Sequence, residues 1–395
     1  MKRDGQVKLY KIFSFTLLLM TASSHGMATN DKEAIIAALK EEGTLLRLKA
    51  DYQGANRISE RLKLEFPDEG IGYTMSLNTL VTRLSWDDQQ TQYDDPILSD
   101  AKKTLSLCRA QIKAQPDNHQ GYYHCGQAHF ALTYLHALRG HYYRAGTNLS
   151  NTIENLERTL KLKPDLVDAK MHLGIAYYYA DNLPPFVKAL SKFLWFIPTG
   201  NSDRSLPYIK DVTEKGQFFK DVARFLYSDL LIDGDEGDRQ EAKRILGELI
   251  AGYPENRRFQ FRYISLLGEL GEFAESMDSA REFIATERQY NRDQKDIALV
   301  RLWTTRGYLG LNDLEGAVNA FSRINPSSVD EDFPSWGRSW FVLTRAQIQD
   351  LQNKRSQALG DYQRVIEMFS DYASAKVMAA ARAGLKAPFM LANSP

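Results

Sequence analysis

The sequence predicts an all-α protein, a solenoid of seven to eight stacked helix pairs, some of them elongated. Three observations predict it. Apolar residues recur at helical intervals along most of the chain, giving one buried stripe per helix. Alternating β-branched runs bounded by turn residues, the mark of strands, are missing. Prolines punctuate the pattern, and the clearest unit runs from Pro164 to Pro198, a spacing of 34 residues. Two helices of that length cannot bury their stripes alone and need neighbours on both sides.

The first segment stands apart. Lys2, Arg3, Lys8 and Lys11 precede an apolar run, Ile12 to Met20, and small residues then lead to Gly26-Met27-Ala28. That order is the order of a secretory signal peptide, residues 1–28, cleaved after Ala28. The run is too short to span a bilayer, which takes about 20 residues, and no later run is long and apolar enough to do so. Removing the segment leaves 46 basic and 49 acidic residues, a net charge of −3. A balanced charge gives no bulk attraction to nucleic acid. The expected location is the periplasm or beyond.

The solenoid is expected over 29–385. Gly43, Leu46, Ala55 and Leu62 set the small and apolar contact positions of the first unit, closed by Pro67. Small residues let paired helices approach, and larger ones fill the facing holes. The second unit places helices at 72–85 and 99–114, with a solvated acidic loop between them. The third places them at 120–139 and 142–162. In the 34-residue unit, Leu173, Gly174 and Tyr177 mark the first helix. Phe186, Leu190 and Phe193 mark the second, after a Pro184-Pro185 turn. Residues 199–216 read as an insertion carrying a short helix. Later pairs follow at 217–252, 257–286, 296–326 and 335–370. Ala242, Leu246 and Leu249 stand at repeat spacing, and Asp238 with Glu241 has the spacing of an N-terminal capping pair. A helix over 372–384 covers the open end, and 386–395 form a loose tail.

This arrangement resembles exported bacterial tetratricopeptide-repeat proteins, over nearly the whole mature chain. It is also similar to an uncharacterised subgroup with Tyr177-x-Tyr-Ala-Asp-x-Leu-Pro184 followed by Phe193-Leu-x-Phe-Ile-Pro-x-Gly200. The resemblance implies a protein-binding scaffold whose partner the fold does not name.

In such a superhelix the first helix of each pair lines the concave side. The registers set by Gly126 and Gly174 then turn Tyr123, Gln127, Met171, Ile175, Tyr178 and Tyr179 inward. Aromatic rings with polar tips suit recognition of a protein or peptide. Phe130 is expected in the core. Cys108 and Cys125 fall on adjacent packed helices, either as a disulfide or as two buried thiols.

The alternative is a small-molecule or metal-binding site in the His/Tyr-rich hairpin 119–143. His119, His124, His129, His136 and His141 lie there, but none of their spacings is the i, i+4 of a metal-binding helix. The loop from Asp233 to Asp238 fails the helix-loop-helix calcium pattern. Arg257, Arg258 and Arg262, interleaved with Phe259 and Phe261, form a basic cluster for a carboxylate-rich partner or for plain surface. No catalytic fingerprint is present. No cofactor is implied, and the expected activity is binding without bond-making.

Overall fold

The computed structural model describes residues 31–181, 202–232, 234–290, 292–326, 329, 333–368 and 374–391. The expected signal segment, the second helix expected around Phe186, Leu190 and Phe193, and the Phe193–Gly200 motif lie outside the described residues. Among the described residues the fold is all-α, with seventeen helices and no strand. They are α1 (31–48), α2 (Tyr52–Glu65), α3 (Ile71–Leu84), α4 (Asp94–Ala114), α5 (His119–Leu138), α6 (Tyr142–Leu162), α7 (Ala169–Asp181), α8 (Ser202–Lys215) and α9 (Lys220–Ile232). The remainder are α10 (Glu236–Gly252), α11 (Arg257–Glu269), α12 (Phe273–Ala285), α13 (Gln294–Gly310), α14 (Leu314–Ser322), α15 (Ser335–Leu351), α16 (Arg355–Met368) and α17 (Ala375–Lys386).

Each helix packs on the next, and first helices also touch across pairs, α3 on α5, α5 on α7, α11 on α13 and α13 on α15. That serial pattern is an α-solenoid of stacked helix pairs. Close approach depends on small residues. A Cβ on Gly126 would stand 2.6 Å from Leu156 Cδ2, and one on Gly174 would stand 3.0 Å from the carbonyl oxygen of Ser205. Ala242 is fully buried beside Leu246 and Leu249. Ala242→Leu is expected to overpack that seam and destabilise the protein by about 1–3 kcal/mol, read by denaturant titration.

Several local expectations change. Helix α4 starts at Asp94 rather than Ser99, because Asp94 and Asp95 suit the positive N-terminal end and Pro96 is tolerated in the first turn. Helix α10 starts at Glu236, capped reciprocally by Asp235 and Asp238; the expected pair was Asp238 with Glu241. The stretch read as an insertion contains a 14-residue helix, α8, seated in the notch left by Gly174. The expected loose tail is anchored through residue 391. Phe389 N–H donates to Asp350 at 2.8 Å, and Leu391 joins the α13–α15 core. Cys108 and Cys125 form a disulfide, with Cα atoms 5.7 Å apart, tying α4 to α5.

A second set of contacts joins the two ends of the stack. Asn256 Nδ2 donates to the Leu48 carbonyl at 2.7 Å. Arg258 donates to Ser85 Oγ at 3.1 Å. Asp87 accepts from Ser335 Oγ at 2.9 Å, and Trp336 Nε1 donates to the Trp86 carbonyl at 2.8 Å. The acidic loop after α3 is therefore docked rather than solvated. Arg139 fixes its far side through paired bonds to Asp94 and contacts to the carbonyls of Asp88 and Gln90. These closures bring residues about 250 positions apart into one interior.

Candidate functional site

The six residues expected on one concave surface separate. Tyr123, Gln127 and Met171 are each only 5% exposed. The Tyr123 ring packs with Leu149, Ile153 and Leu173, while Met171 packs with Ile209, Val212 and Phe219. Ile175 is half-buried against the same group. Tyr178 and Tyr179 remain outside, 40% and 42% exposed, with their ring centres 6.1 Å apart. Phe130 is buried, its ring edge-on to His172 at 4.9 Å.

The chain itself fills this half of the interior. Phe218 lies 3.6 Å from the Lys40 ammonium, and Phe219 lies 5.4 Å from the Arg47 guanidinium. Both cations sit over ring faces, the geometry in which a ring quadrupole attracts charge. Buried Asp168 holds the segment by accepting from the backbone N–H groups of Gln217, Phe218 and Phe219. Nothing in the local pattern of 216–219 signals this role, because the two halves of the contact are far apart in sequence.

The histidines do not converge either. His124 approaches Thr74, His129 approaches Asn148 at 2.8 Å, and His136 lies beside the His141 ring. Burial drives His124 down to about 3, helped by Lys40 and His119, so it is neutral at physiological pH. Among the described residues no group of three or more His, Cys, Asp or Glu is placed to hold a metal. Asp235 and Asp238 are occupied in capping α10.

Of the arginines read as a surface cluster, Arg258 is buried, and Arg257 and Arg262 are half-buried in ion pairs. Arg257 pairs with Asp296 at 2.8 Å, and Arg258 reaches Ser85 and the Arg83 carbonyl. Arg262 faces Asp229 and Glu269. Phe259 and Phe261 are buried.

The C-terminal half holds a groove of about 1070 Å³, lined from α9, α11, α12, α13, α15 and α17. Its floor is aromatic. The ring centre of Trp303 lies 4.8 Å from Phe261, 6.0 Å from Trp336 and 5.9 Å from Trp340. Trp86, reaching in from the loop after α3, closes one end at 5.4 Å from Trp336. The Arg306 guanidinium lies 4.0 Å above the Trp340 ring and donates to Thr344 Oγ1 at 3.3 Å. No carboxylate of the described residues forms an ion pair with it; burial lowers Arg306 to about 10, with the Glu269 charge opposing the drop, so it keeps its charge. Glu269 and Lys376 pair at 2.7 Å on the rim.

The site thus offers flat apolar rings, one cation without a carboxylate partner and a polar rim. Its sequence signal was available. Three of the five tryptophans fall between 303 and 340, with Arg306 one helical turn from Trp303.

No protein-family model matches the sequence, and no curated protein does. Among solved structures, yeast Tom70 is similar over 90% of this chain and 80% of its own, at 12% identity and a TM-score of 0.40. A tetratricopeptide repeat protein from Parabacteroides merdae is similar over 88% of this chain and 97% of its own, at 13% identity and a TM-score of 0.26. The P58(IPK) TPR domain is similar over 89% of this chain and 96% of its own, at 13% identity and a TM-score of 0.23. Each is a low-scoring likeness of helical-repeat architecture and says nothing of what this chain binds.

Proposed function

We propose that this chain is a non-enzymatic binding scaffold that takes an extended polypeptide segment in the groove of its C-terminal half. The observation that carries this reading is the cluster of the Trp303, Trp336 and Trp340 rings, with Arg306 seated over Trp340. Such rings give large contact area at low entropic cost, and Trp and Arg dominate binding energy in protein interfaces. Arg306 adds direction, since a half-buried cation that no described carboxylate meets at ion-pair distance, Glu269 acting on it only through its field, favours an acidic side chain or a terminal carboxylate in the bound segment. A groove partly open to solvent suits a chain better than the enclosed cavity typical of a small ligand. We further propose that the protein acts after export, the first 28 residues serving as a cleaved signal. The Cys108–Cys125 disulfide supports that, because such bonds persist in oxidising compartments.

Screening a random peptide library on the purified chain tests the reading. Enriched peptides are expected to carry an acidic group beside an apolar residue. Trp340→Ala is expected to weaken them by about thirtyfold, the effect of a residue carrying about 2 kcal/mol. Failure to enrich any peptide, or equal binding by Trp340→Ala, would end this reading.

A further inference from the structure

The plugged N-terminal half encloses a chamber of about 20 Å³ between α1, α3, α5 and the Phe218–Phe219 segment. That is room for one water-sized species. Its walls are rich in donors. Arg47 is 8% exposed, and its Nε has no hydrogen-bond partner among the described residues. The Tyr123 hydroxyl, buried at 5%, has none either. Gln127 spends its oxygen on Asn78 Nδ2 at 2.9 Å and is left with its amide N–H groups.

The nearby carboxylate is committed elsewhere, and the Thr74 and Thr79 hydroxyls donate to carbonyls of their own helix. Asp168 accepts three backbone N–H groups. Asn78 Oδ1 faces His172 Nε2 at 3.3 Å, so Nε2 is the protonated ring nitrogen. The Nδ1 of His172 is an acceptor without a partner, and His172 does not line the chamber.

A buried unpartnered donor is costly, and more so when it is charged. Burial lowers Arg47 to about 10, which leaves it protonated at neutral pH. Lys40, on the same helix, shares this interior. A water molecule would satisfy the hydroxyl but would leave one positive charge in excess, because Asp168 acts on Lys40 and no carboxylate acts on Arg47. We propose that the chamber binds one small monovalent anion of chloride or bromide size, held by Arg47, Tyr123 and Gln127. The anion closes the donor surplus and stabilises the plugged form without touching the groove.

The test follows thermal unfolding of the purified chain in sodium chloride, sodium bromide and sodium gluconate at matched ionic strength. Gluconate is too large to enter. The expected result is a saturable rise in melting temperature with either halide and not with gluconate. Tyr123→Phe keeps the ring in its core and should weaken the halide effect about tenfold; Arg47→Met should abolish it. Crystals grown in bromide should show an anomalous peak inside the chamber. An equal response to gluconate, a wild-type halide response in Tyr123→Phe, or a chamber without bromide would each overturn the proposal. Should Arg47→Met fail to fold, Tyr123→Phe and the bromide crystals decide.

Discussion

Replacing Trp86 with alanine is expected to cost about 1–3 kcal/mol and to loosen the junction between the two ends of the stack. The magnitude is that of losing a half-buried aromatic ring that packs on the core on one side and faces the groove on the other. The indole stands edge-on to Phe261 at 5.9 Å and to Trp336 at 5.4 Å. It also supplies a ring face to Arg257 and Arg258, at 5.4 and 5.3 Å. Arg258 is almost fully buried, so losing that face leaves a poorly solvated cation as well as a void. The hydrogen bond from Trp336 to the Trp86 carbonyl involves only backbone at position 86 and is available to alanine, so the variant isolates the ring. Denaturant titration measures the loss, and small-angle scattering measures any increase in the radius of gyration. An unchanged midpoint with unchanged scattering would show that the ends are held together by something else.

The architecture was legible in the sequence because its determinants are local. Gly126 against Leu156, Ala242 beside Leu246, and the helix bounds of α5 and α6 follow from periodicity within one or two turns. Each hairpin is specified by residues a few tens of positions apart. The candidate site was less legible for the same physical reason. Concave exposure was inferred from helix register, and register says which way Tyr123 points but not what lies opposite. Here the opposite wall is the Phe218–Phe219 segment, about 95 positions downstream. Asp87 looked like a solvated acid because its partner, Ser335, is 248 residues away. Trp303, Trp336 and Trp340 were readable as a cluster, yet only folding shows that α13 and α15 turn them into one groove with Arg306.

Asp168→Ala is expected to be the most damaging single change near the plug, at about 3–5 kcal/mol, the cost of removing one member of a buried charged network. The carboxylate is 3% exposed and is the shared acceptor for three successive N–H groups ahead of α9. Without it those donors have no replacement, and the Phe218–Phe219 segment loses its tether. A pH profile separates this from a simple packing defect. Burial depresses Lys40 from the ordinary 10.5 to about 8, with Asp168 opposing the drop. Between those values the unfolded chain binds more protons at this site than the folded chain. The Lys40 contribution therefore makes stability rise as pH climbs from about 8 to 10.5. Removing Asp168 lowers Lys40 further, so the rise should begin at lower pH in Asp168→Ala than in the wild type. Lys40→Met in the same background should flatten it. A profile of unchanged shape in Asp168→Ala would mean that Asp168 does not act on Lys40 and serves only as a cap for the segment ahead of α9.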